Sequence, residues 1–161
     1  MLNTALQVLS KDGAIADNTY NIIGEDGVLP QGDVLLTAEQ LDQLENVTGK
    51  KALFITVDAS PETNAYPLDQ LDAIFIDFAG FNDGRGYSFA ALLRRQGYQG
   101  ELRATGDVFK DVLNYMKRSG FDTFVIKEGK DVQEAAHGLN DFKHPYQAST
   151  AVKKASYQTG A

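Results

Sequence analysis

The rhythm of hydrophobic and polar positions changes at Lys51. Before it, short apolar pieces such as TYNIIG are separated by KDG, EDG and LPQGD. Those Gly- and Asp-bearing turns are the punctuation that ends strands. The spacing predicts a small hairpin or meander, then DVLLT as a short strand. Thr37 and Gln40 form a capping-box pair ahead of AEQLDQLEN, a short helix with Leu41 and Leu44 on one side.

After Lys51 the pattern alternates between strand and helix. ALFITVD reads as a strand, and SPETNAYPLDQL as a loop or single helical turn, with Ser60 as cap and Pro61 in the first position. DAIFIDF is the apolar run of a buried strand. A helix is predicted over Gly86 to Gln96, with Phe89, Leu92, Leu93 and Gln96 on one face. GELRAT is a strand. Val108, Phe109, Val112, Leu113 and Met116 then form the clearest helical stripe, with Asp107 as its cap and Gly120 as its stop. Lys117 and Arg118 fall in its last turn, where cations suit the dipole. FDTFVIK is a strand and DVQEAAHGL a final helix. The aromatics Phe75, Phe78, Phe81 and Phe89 read as core.

This order predicts an α/β fold: a βαβαβα core on a mainly parallel sheet, plus a small β-rich N-terminal segment. One domain is expected over residues 1–161: a β-rich part with a short helix (1–50), the α/β core (51–140) and a polar tail (141–161). In such sheets the loops leaving the C-terminal strand ends share one edge, which usually carries the ligand. The loops AGFNDGRG, TGD and KEGKD leave that edge.

Composition narrows the function. The chain has no cysteine, so disulfides, thiolate metal sites and a Cys nucleophile are excluded. No apolar run reaches the roughly 20 residues of a membrane span. The N-terminus lacks the marks of a signal peptide, and a cytoplasmic location is expected. Net charge is -7, unevenly spread: residues 1–84 hold 3 lysines and 14 acids, residues 85–118 hold 7 cations and 3 acids. That balance disfavours nucleic acid and anionic membranes as partners. All five arginines (85, 94, 95, 103 and 118) lie within the basic middle stretch.

The candidate chemistry sits there. FNDGRGYS follows a buried strand and opens a helix. Gly84 and Gly86 are expected to free the backbone so that amides turn toward a ligand, beside Asp83, Arg85, Tyr87 and Ser88. A helix start of this kind suits a small oxyanion. The plainer reading is a helix-initiating turn with Arg85 paired to Asp83 or Asp77. Arg103 lies on a strand and needs a partner, for which Asp77 is the natural candidate. Asp107 is a helix cap, or a general base beside Arg103. Arg94 and Arg95 read as solvated cations, Lys127 as a rim or surface residue, and His137 as a capping or solvent-facing one. Neither His137 nor His144 has metal-ligand spacing. No Walker A loop, GxGxxG fingerprint or GxSxG elbow is present, and no cofactor is evident.

The segments DGRGYS, LLRRQGYQGELRATGDV and RSGFDTF resemble a bacterial family, domain of unknown function 934, most strongly over Phe75 to Phe124. Asp83, Gly84, Arg85, Gly86, Tyr87, Ser88, Arg103, Gly106, Asp107 and Arg118 stand at that family's recurrent positions. Ala79 stands where the family usually has Pro. The resemblance implies a role in assimilatory sulfite reduction, since members are often encoded beside the sulfite reductase haemoprotein and labelled as oxidoreductases. It carries over no catalytic set. The expected function is an accessory protein of sulfate and sulfite reduction that binds a small oxyanion or docks on sulfite reductase. The alternatives are an oxidoreductase with a borrowed cofactor and a homo-oligomeric structural subunit with an arginine-rich interface.

Overall fold

The computed structural model describes residues 7–59 and 66–140. Among these residues, eight strands form one curled, mostly parallel sheet in the order β2-β1-β8-β7-β6-β5-β4-β3. They are β1 (Gln7–Ser10), β2 (Ile15–Asp17), β3 (Asn21–Ile22), β4 (Val34–Leu36), β5 (Lys51–Thr56), β6 (Ala73–Phe78), β7 (Glu101–Gly106) and β8 (Thr123–Phe124). From β3 to β8 every neighbour is parallel and follows in chain order. Right-handed crossovers taken always in one direction put every connection on the same face.

That face carries the main core. Leu36, Leu53, Ile74 and Leu102 form one row across the strands, and Ile55, Ile76, Ala104 and Phe124 the next. Over them lie helices α1 (Arg85–Arg95), α2 (Lys110–Ser119) and α3 (Val132–Ala136), with a 3-10 helix over Ala38–Asn46. Leu93, Leu113 and Met116 are wholly enclosed there. The predicted α1 stripe shifts: Gly86, Ala90 and Leu93 are buried, Phe89 is only partly so and Gln96 is exposed. Gly120 ends α2 in the left-handed region, at φ +115°, as its position predicts. The predicted capping box of Thr37 and Gln40 is present, with the Thr37 amide donating to the Gln40 side chain at 3.0 Å, though the helix is 3-10 rather than α. Ser60, Pro61, His144 and the 141–161 tail lie outside the described residues.

The other face bears a smaller cluster of Tyr20, Leu35, Ala52, Ala73 and Phe75. Arg103 belongs to it. Its guanidinium lies 4.5 Å from the Phe75 ring centre and 5.4 Å from that of Tyr20. It pairs with Glu101 at 2.7 Å and donates to Asn18 and Thr123 at 2.8 and 3.2 Å. The expected Arg103–Asp77 bridge does not form: Asp77 accepts from Thr105 at 2.9 Å instead. The register explains this. Arg103 sits opposite Phe75, one pleat away from the Asp77–Thr105 pair.

Arg94 also departs from expectation. It is not a solvated cation but a tie between segments. Its guanidinium donates to the carbonyls of Tyr98, Gly100 and Gly120 and to the Asp122 carboxylate. It thereby absorbs carbonyls that strand ends and helix ends leave orphaned.

Candidate functional site

The loops after β6, β7 and β8 do converge on one rim, and Asp107 is the residue that joins them. One carboxylate oxygen accepts from the Phe81 amide at 2.9 Å, in the first loop. The other accepts from Lys127 Nζ at 2.8 Å, in the third. The backbone repeats the join: Asp107 N–H donates to Phe78, and Lys127 N–H to Val108, each at 2.8 Å. Asp107 is therefore not the cap of α2. Phe109, in extended backbone, holds that position.

Two aromatic rings complete the rim. Phe81 and Phe109 meet edge to face at 5.6 Å, and Lys127 Nζ lies 5.3 Å from the centre of the Phe109 ring. Phe81 is 54% exposed, so its expected place in the core is corrected. An apolar run invites a core reading, but strand β6 ends at Phe78 and Phe81 falls beyond it in the loop.

Arg85 lies beside this cluster. It pairs with Asp83 at 2.6 Å and with Asp58, from the loop after β5, at 3.0 Å. Pairing with Asp83 is the plainer of the two readings above, and Asp58 was not foreseen. Arg85 holds the Asp83 carboxyl below its usual range, and the two aspartates push the guanidinium's pKa up. One cation faces two carboxylates, so the field at this helix start is negative and unfavourable to an oxyanion. Ser88 Oγ donates back to the Gly84 carbonyl at 3.3 Å, and Tyr87 packs between Phe78 and Tyr115. Burial raises the Tyr87 phenol pKa.

The glycines of FNDGRGYS act differently from expectation. Gly84 has an ordinary helical backbone (φ -71°), and neither it nor Gly86 has a positive φ. Gly86 is needed for space, because a Cβ there would run into the Phe78 ring. The structure does not bring Arg85 and Arg103 together. Arg85 stands beyond the C-terminal strand ends. Arg103 is on the face opposite the helices and bonds Glu101 and Thr123, the residues that begin β7 and β8. Asp107 bonds neither arginine, which removes its expected partnership with Arg103.

Among the described residues no cluster of His, Asp and Glu could hold a metal ion, and no helix is long and apolar enough to cross a membrane. His137 is exposed at the end of α3.

The model of a bacterial protein family of unknown function, DUF934, matches residues 52–157. The chain belongs to this family. The match begins at β5, so the rim and all three loops lie within it while β1 to β4 precede it. No curated protein matches the chain.

The lock at Asp107 has a pH signature. The Lys127 ammonium, then the Phe81 amide, hold its carboxyl below the ordinary carboxylate range. A folded pKa below the unfolded one, about 4, stabilises the fold above that pH. The contribution disappears as pH falls through the folded value. Asp33 and Asp83 are shifted in the same direction. Urea midpoints measured between neutral and acid pH should fall less steeply in Asp107→Asn than in the parent chain, without becoming flat. An unchanged slope would remove the lock.

Proposed function

We propose that this DUF934 protein is an accessory factor of assimilatory sulfite reduction that docks on the sulfite reductase haemoprotein through the Phe81–Phe109 rim. The observation that carries the docking is Phe81 itself, an aromatic ring 54% exposed yet fixed by the Asp107–amide bond and the Phe109 ring. Ordered, protruding aromatics are the usual anchors of protein interfaces, because little side-chain entropy remains to be lost on binding. The choice of partner follows from the family resemblance. Docking is favoured over a small oxyanion at Arg85 because two carboxylates already occupy that guanidinium. It is favoured over an arginine-rich subunit interface because Arg85, Arg94 and Arg103 are bonded within their own chain.

The test is direct binding of the purified haemoprotein to the immobilised chain. Phe81→Ala should weaken the complex by tenfold or more, about 1.4 kcal/mol, while its melting temperature stays near that of the parent. Absence of binding, or binding indifferent to residue 81, would refute the proposal.

A further inference from the structure

A second site lies at the opposite edge of the sheet, where β7 and β8 begin. A cleft of about 600 Å³ opens there, lined among others by Lys11, Asp12, Arg94, Tyr98, Lys117 and Asp122. These come from three separate segments: the β1–β2 turn, the end of α1 with the loop that follows it, and the end of α2 with the approach to β8. The volume is in the range of small-ligand sites.

The charges decide what it would take. Two helix C-termini end here, and by themselves they favour cations. Arg94 answers that field: it caps the carbonyls of Tyr98, Gly100 and Gly120 and bonds one oxygen of Asp122. Lys11 meets the other Asp122 oxygen at 3.0 Å, and the Leu102 amide donates to the first at 3.0 Å. The inward negative groups are thus compensated. Asp12 remains, exposed at the mouth. Lys117 is left over: half-buried in the last turn of α2, it lines the cleft, and its ammonium has no hydrogen bond or ion pair among the described residues. With the two helix C-termini counted, three cations and two carboxylates leave the lining near neutral, so the feature that selects a ligand is the Lys117 ammonium, the one cation here without a carboxylate among the described residues.

We infer that this cleft binds a small molecule through an oxyanion group of the phosphate or sulfate type, with Lys117 as its principal contact and Lys11 as the second cation. Tyr98 and Phe121, both buried, supply an apolar wall for the rest of the ligand. The site is independent of the rim, which lies at the other end of the strands.

Titration of the full chain with inorganic phosphate, and separately with sulfate, against sodium chloride at equal ionic strength tests this. Amide chemical shifts are read by NMR and melting temperatures in parallel. The expected result is a saturable response with shifts at Gly120, Phe121 and Asp122. Its apparent Kd should be about tenfold weaker in Lys117→Gln and unchanged in Phe81→Ala. A response equal to that of chloride, shifts centred elsewhere, or an undiminished response in Lys117→Gln would each overturn it. A difference between the phosphate and sulfate arms identifies which anion the cleft prefers.

Discussion

Gly106→Ala is expected to lower the unfolding free energy by about 3 kcal/mol or more, from two additive causes. The backbone at Gly106 has φ +89°, a region that L side chains rarely adopt. A Cβ there would also drive into the Phe78 carbonyl and lie 3.0 Å from the Asp77 carboxylate. A backbone atom cannot swing aside as a flexible side chain can. The same Phe78 carbonyl accepts from the Asp107 amide at 2.8 Å, so damage spreads into the rim. Gly84→Ala is the internal control. With ordinary backbone and open space around it, it should cost no more than about 1 kcal/mol. Urea denaturation at neutral pH measures both, and a Gly106→Ala midpoint close to that of Gly84→Ala would contradict the described loop.

Arg103→Ala should cost about 3 kcal/mol, because it breaks a buried pair and leaves its partners unmatched. Arg103 is 6% exposed, and its removal strips Glu101, Asn18 and Thr123 of a donor and uncovers the Phe75 ring. Arg103→Lys should recover less than half of the loss. An ammonium has no planar fork to lay against the Phe75 and Tyr20 rings while donating in several directions. Arg95→Ala, at an exposed position, should stay within about 0.5 kcal/mol. Parity between Arg103→Ala and Arg95→Ala in melting temperature would show that the stacked arginine contributes nothing.

The strands and helices from Lys51 onward were legible because each carries its own period. DAIFIDF reads as a buried strand, and the α2 stripe points one way, with Gly120 as its stop. Pairing across the sheet was not legible. Nothing in QVLS marks it as the neighbour of Thr123 and Phe124, more than a hundred residues away. The arginines misled for the same reason. Their clustering in sequence says nothing about which end of a strand, or which face, each side chain takes. Alternation placed Arg103 correctly opposite the Leu102 face, but its choice of Glu101 over Asp77 depends on which pleat it shares. Phe81 was hidden by its resemblance to core aromatics. The available signal was its distance past the strand end, in a loop already crowded with Asn, Asp and Gly.

The antiparallel placement of β1 on β8 has an architectural consequence. The segment matched by the family lacks the strands that flank it on both sides. Excised at residue 52, it would bare the ladder groups of β5 on one flank and of β8 on the other, two sticky borders of a parallel ribbon. The leading fifty residues thus act as a seam allowance at both margins, β4 with β3 finishing one and the β1–β2 hairpin the other.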